Sequence, residues 1–127
     1  MAYDANLAGR VRERLVGAAG VTELRMFGGW GATVYGNMAV GVLGDDLIVR
    51  VGSVRYDDEL ARPGVRPFDF TGRAMTGWVY VDGARVANGR SLTRWVDLGV
   101  SFAASLPRKR PRVRAPVPVS RRRRSER

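Results

Sequence analysis

Neither cysteine nor histidine occurs anywhere in these 127 residues. Without cysteine there is no disulfide, no thiolate nucleophile and no cysteine-held zinc or iron–sulfur centre. Without histidine the usual general base near neutral pH is missing, and so is the commonest transition-metal ligand. Long apolar runs are absent too. The longest, such as Met38–Leu43, are strand-sized, far short of the roughly 18 residues of a membrane span. The start, Met1-Ala2-Tyr3-Asp4, has no basic segment leading into an apolar one, so no signal peptide is expected and the expected location is cytoplasmic. These absences set the functional expectation: a non-catalytic protein with no cofactor, no metal, no membrane and no small-molecule substrate.

What is abundant is arginine, and it is unevenly placed. Lys and Arg total 22 against 12 Asp and Glu, a formal +10. Residues 107–127 hold ten of the cations and one acid, while residues 1–106 hold twelve cations and eleven acids. The basic character therefore belongs to the tail and not to the part that can fold. Apolar residues make up 45% of the chain, enough for one core at this length and not two. The expected organisation is one domain over residues 1–106 and a disordered, Arg/Pro-rich basic tail over 107–127. In that tail Pro107, Pro111, Pro116 and Pro118 break up the charge runs, leaving nothing from which to build a core.

Within the domain the periodicities change along the chain. Asp4 can cap a helix over residues 5–19, with Leu7, Val11, Leu15 and Ala18 on one face and Gly20 as its stop. Thr22–Phe27 reads as extended. Trp30–Tyr35, Met38–Leu43 and Leu47–Val51 follow as an antiparallel meander, turned at Gly36-Asn37 and Gly44-Asp45-Asp46. Ser53 can open a short helix ending at Ala61, and Arg62-Pro63-Gly64 breaks it. Phe68-Asp69-Phe70 and Gly77–Val81 read as two further strands. Ser91 then opens the most regular helix, with Leu92, Trp95, Val96, Gly99, Phe102, Ala103 and Leu106 on one face and Pro107 closing it. The expected fold is α+β in two layers: an antiparallel β-sheet with packed helices, in the order helix, β-meander, helix, β-hairpin, helix.

Few motifs suggest chemistry. Gly28-Gly29-Trp30-Gly31 lacks the Gly-Lys-Ser/Thr ending of a phosphate loop, and strand residues follow it. A bulge or tight bend explains those glycines. Asp45-Asp46 falls in a turn, where aspartate is ordinary. Asp57-Asp58-Glu59 falls on a short, exposed helix. Arg50 is the more pointed candidate. It shares a sheet face with Ile48, and Phe68, Phe70, Trp78 and Tyr80 can border it. The ordinary arrangement for such a residue is an ion pair with a nearby acid. The functional one is an arginine among aromatics that binds an acidic partner or stacks on bases, with Arg50, Phe68, Trp78 and Tyr80 as the surface. Trp30, Trp78, Trp95 and Phe102 are expected in the core rather than in a ligand box; helix periodicity settles this for Trp95 and Phe102 and leaves Trp78 and Tyr80 open.

The tail carries the strongest functional signal. Arg108, Lys109, Arg110, Arg112, Arg114, Arg121, Arg122, Arg123 and Arg124 are the candidate nucleic-acid contacts, because closely spaced cations displace counterions from phosphate backbones. Pro107-Arg108-Lys109-Arg110-Pro111-Arg112 resembles an AT-hook, whose flanking arginines enter a narrow A·T minor groove. Lys109 stands where that motif has glycine.

A family resemblance spans residues 1–106 in order. Arg25-Met26-Phe27-Gly28-Gly29, Gly36-Asn37-Met38-Ala39, Leu47-Ile48-Val49-Arg50, Arg62-Pro63-Gly64, Pro67-Phe68-Asp69-Phe70 and Gly77-Trp78-Val79-Tyr80-Val81, with the last helix, are together similar to the N-terminal domain of the TfoX/Sxy competence regulators. Met26, Phe27, Gly28 and Gly29 are the signature residues. The resemblance implies a secretion-chaperone-like α+β fold and a link to transcriptional regulation, with no catalytic residues to carry over. Those regulators have a second domain where this sequence has the basic tail. Two roles follow as expectations. One is a transcription-associated regulator that contacts nucleic acid through the tail. The alternative is a protein-binding adaptor, chaperone-like and dimeric, with an incidental tail.

Overall fold

The computed structural model describes residues 3–26 and 28–109. Helix α1 (Ala5–Leu15) is capped by Asp4, whose carboxylate accepts from the Leu7 amide at 3.0 Å. It ends four residues before the expected stop. Gly17 already takes a positive φ, and the amide of Val16 turns back to the Glu13 carbonyl. Strands β1 (Val21–Met26), β2 (Gly29–Val34), β3 (Asn37–Leu43) and β4 (Asp46–Arg50) form the meander. The β2–β3 turn is Tyr35-Gly36, one residue earlier than the sequence suggested. Both residues have positive φ, at 49° and 86°, the combination that matches the twist of a two-residue hairpin. Strand β3 has an extra residue at Ala39, where the pairing steps from Ala32↔Val40 to Thr33↔Met38.

Helix α2 (Tyr56–Leu60) is shorter than expected, and Ser53 does not cap it; Arg55 occupies the cap position without a side-chain bond. The next strand, β5 (Val65–Pro67), lies just before Phe68-Asp69-Phe70 and not on it. Phe68 instead begins the loop to β6 (Trp78–Val81) and turns its ring under the sheet. A 3₁₀ turn (Gly83–Val86) leads to α3 (Gly89–Ser105), which starts two residues early because Asn88 caps it, accepting from the amides of Arg90 and Ser91. The six strands form one antiparallel sheet in the order β1-β2-β3-β4-β6-β5, so the expected α+β architecture and element order are what the protein has.

One face of the sheet carries the helices. Leu7, Val11 and Leu15 of α1 and Leu92, Trp95 and Val96 of α3 close over Trp30, Val40, Val42, Leu47, Val49, Val79 and Val81. Trp30 and Trp95 are core residues as expected, each 4% exposed. Gly99 lets α3 lie against the backbone of β3 at Ala39. The opposite face has a smaller cluster of Ile48, Phe68 and Tyr80, edged by Met26, Leu43 and Trp78.

Candidate functional site

The sheet has one end where three separate features meet. The first is Arg50, the last residue of β4, paired in register with Trp78 of β6. Its guanidinium lies 5.1 Å from the centre of the Trp78 ring and 5.4 Å from that of Phe102 on α3. Phe102 can reach it because the chain after β4 has no side chain at Gly52; a Cβ there would fall 2.4 Å from the Phe102 ring. The expected ion pair is not found. Among the described residues no carboxylate comes within salt-bridge distance of Arg50 and no hydrogen bond is made by its side chain. Partial burial lowers its pKa, yet an arginine stays charged. The result is a half-buried cation set against two rings, with its N–H groups unspent.

The rest of the expected aromatic surface divides. Trp78 is half-buried beside Arg50. Phe68 and Tyr80 are not a surface: they are buried against each other, with ring centres 5.0 Å apart. A loop aromatic that folds back beneath a sheet buries more apolar area than one left in water, and the alternation read from sequence carries no sign of that return. Phe102 moves the other way. The helix periodicity assigned it to the core, but it is half-buried at the rim.

The second feature is the root of the tail, which is held on the domain. After α3 ends, the Pro107 carbonyl accepts from Asn37 Nδ2 at 2.9 Å and the Lys109 amide donates to the Tyr35 carbonyl at 2.8 Å. Asn37 is only 2% exposed. The Arg108 guanidinium sits 3.8 Å from the centre of the Tyr35 ring, and Lys109 passes so close to Gly36 that a Cβ there would lie 2.7 Å from its own. Contact with the domain thus includes residues 107–109, the last that the structure describes. Of the other candidate contacts, Arg110, Arg112, Arg114, Arg121, Arg122, Arg123 and Arg124 lie outside the described residues, as does Phe27 of the signature. Met26 ends β1, Gly28 makes the tight turn at φ 79°, and Gly29 packs where a Cβ would meet the Val42 carbonyl at 2.3 Å. Those positions are structural.

The third feature is an open groove of about 460 Å³ along α3, with Val51, Leu98 and Phe102 as its apolar lining and Arg55, Arg94, Asp97 and Ser101 as its polar one. Beside it lies a network that the sequence did not reveal. Glu59, expected on an exposed helix, is buried at 2% exposure. Arg94 reaches both of its oxygens at 2.9 and 2.8 Å, Arg62 donates at 2.8 Å, and Arg55 stands 3.8 Å away. The available signal was the placement of Arg55 and Arg62 four before and three after Glu59, positions that share a helix face. The pair Asp45-Asp46 also separates: Asp46 accepts from Arg66 at 2.7 Å while Asp45 is exposed in the turn. No group of three or more acidic side chains able to hold a metal occurs among the described residues, and no helix described is long and apolar enough to cross a membrane.

Comparison with known proteins agrees with this architecture at the level of the domain. The family model of the TfoX N-terminal domain matches residues 13–103, which takes in every strand, α2, and α3 as far as Ala103. No curated protein and no solved structure matches the chain.

Proposed function

We propose that this chain, which belongs to the TfoX N-terminal domain family, is a non-catalytic, transcription-associated binding protein that contacts nucleic acid through its basic tail. The observation that carries the reading is the charge partition: ten cations and one acid in residues 107–127, against near balance before them. Such a segment can lay arginines along successive phosphates without a shaped surface. The anchoring of Pro107 and Lys109 on the β2–β3 turn supports it by giving the tail a fixed point of departure. Arg108 is stacked on Tyr35 and must leave that ring to enter a minor groove, so the charge of the tail and not its AT-hook resemblance carries the reading.

The test is duplex DNA binding by the full chain over a range of salt. If about half of the tail cations engage, log K against log salt should fall with a slope of about −4 to −5, since each phosphate contributes about −0.9. Replacing Arg121–Arg124 with Ala should flatten that slope by up to about 3–4 units and weaken all sequences alike. Equal binding by the wild type and this variant would refute the reading. The second reading, a protein-binding adaptor, is favoured by one observation: the unspent guanidinium of Arg50 beside two half-buried rings, which suits an acidic side chain as well. Under that reading DNA binding is negligible near physiological salt.

A further inference from the structure

The register of the sheet brings Arg50 to the same end as the root of the tail. Val40 pairs with Val49, so Arg50 lies level with Ala39, two residues from Asn37, whose side chain holds Pro107. Helix α3 serves both features: Phe102 lies against Arg50 and Gly52, and the chain reaches Lys109 one short step later. The cations of the tail therefore leave the domain at the same end of the sheet as a further cation that is fixed against two rings, half-desolvated and without a carboxylate among the described residues.

We propose that Arg50 is the folded domain's own phosphate contact, taking one backbone phosphate of the nucleic acid that the tail holds, while Trp78 and Phe102 fix the guanidinium in position. The inference rests on the tail reading and adds to it a defined point on the domain. Three physical reasons favour a phosphodiester here. A guanidinium presents its N–H groups in a fork that fits two phosphate oxygens. Rings on its flanks hold it through cation–π attraction while leaving its edge for an anion. A duplex held by the adjoining tail is present at high effective concentration, so one well-placed contact suffices.

The experiment uses the full chain, inorganic salt titrations and a duplex of mixed sequence. Arg50→Gln should reduce the salt slope by about one unit and weaken binding in low salt, with the change equal for A·T-rich and G·C-rich duplexes. Arg50→Lys keeps the charge and should keep the slope. Two results overturn the proposal: an unchanged slope and affinity in Arg50→Gln while the Arg121–Arg124 replacement still flattens the slope, or an equal loss in Arg50→Lys and Arg50→Gln. The first leaves the tail reading intact. Absence of DNA binding by the wild-type chain refutes both readings together. A thermal melt of each variant accompanies the titration, and if Arg50→Gln fails to fold, the Arg50 Nε–H resonance of the wild-type chain decides: a shift on adding the duplex is expected, and no shift while the tail resonances move overturns the proposal.

Discussion

Replacing a helical glycine by alanine normally helps. In a helix interior, alanine is favoured over glycine by about 0.8–1 kcal/mol, because glycine gives up more backbone freedom on folding. Gly9 and Gly99 are both helical, in α1 and α3, and the structure separates them. A Cβ built on Gly9 meets nothing within 4 Å, whereas one on Gly99 falls 2.5 Å from the Ala39 carbonyl oxygen and 2.8 Å from a Val40 methyl. The oxygen belongs to a β3 backbone held between β2 and β4 and cannot turn aside as a flexible side chain can. To restore an ordinary contact α3 must lift by most of an ångström, loosening Trp95, Val96 and Ala103 from the core. Overpacking of this kind costs about 1–3 kcal/mol, with the propensity gain working against it.

Gly9→Ala is therefore expected to stabilise the protein by about 0.5–1 kcal/mol and Gly99→Ala to destabilise it by about 1–2 kcal/mol. At this size the two melting temperatures should move apart by roughly 6–20 °C. The measurement is thermal unfolding followed by far-ultraviolet circular dichroism, with denaturant unfolding as the check. A Gly99→Ala variant as stable as Gly9→Ala would mean that α3 does not lie on β3 as described, and the packing of the helical layer would be wrong.

Other consequences are simpler. Trp95→Ala should lower stability by about 3–5 kcal/mol in denaturant titration, and an unshifted midpoint would take Trp95 out of the core. Glu59→Ala should cost about 1–3 kcal/mol with an unchanged denaturant slope. The figure is kept below that of a fully buried pair because Arg94, Arg62 and Arg55 are themselves 39–60% exposed and can turn to water. The hydrogen bond from Arg12, then that from the Trp30 indole, hold the Glu23 carboxyl below its ordinary pKa. A depressed folded pKa contributes stability that is present above the unfolded value and lost as pH falls through the folded one. The Glu23 carboxyl should therefore titrate below an ordinary glutamate by NMR, and Arg12→Ala should move it back up; a midpoint that ignores Arg12 would remove the bond.

How far the sequence disclosed this depends on whether the relevant partners are local. Helix α3 was legible because every residue that buries its stripe repeats along one segment, and the hairpins because their turns are two residues long. Arg50 was visible as a candidate, but its flanks were not: Phe102 comes from a helix fifty residues on, across a glycine that no periodicity singles out. Glu59 was misread for a different reason. Three acids in a row look like a solvated face, and only the alternation of the helix sends Glu59 inward while Asp57 and Asp58 stay out. Phe68 was misplaced because a strand pattern cannot announce a loop that doubles back. At the tail boundary Pro107 ends a helix without ending contact with the domain; Asn37, buried in β3 with an amide to satisfy, was the one local cue.

That boundary leads to a last expectation. The root of the tail is held by two hydrogen bonds, Asn37 to Pro107 and Lys109 to Tyr35, and by the stack of Arg108 on Tyr35. Each bond contributes about 0.5–1.5 kcal/mol net and an exposed cation–π contact about 0.5–1 kcal/mol, roughly 1.5–4 kcal/mol together. Ordering three residues opposes this with about 1 kcal/mol each at the low end of backbone entropy, proline less. The balance lies within about 1.5 kcal/mol of zero, so the latch opens readily while the core stays shut. Hydrogen exchange should show the Lys109 amide protected by no more than about tenfold, against far larger protection at Val49 and Val79, whose amides belong to central strands. Ending the chain at residue 106 should accordingly move the melting temperature by only a few degrees relative to ending it at 109. Adding duplex DNA in low salt should lower the Lys109 protection further, because each phosphate that takes Arg108 from Tyr35 removes one of the three contacts. Core-like protection at Lys109, unchanged by DNA, would show a rigid strap instead, and the tail would then have to bind from Arg110 onward with Arg108 left on its ring.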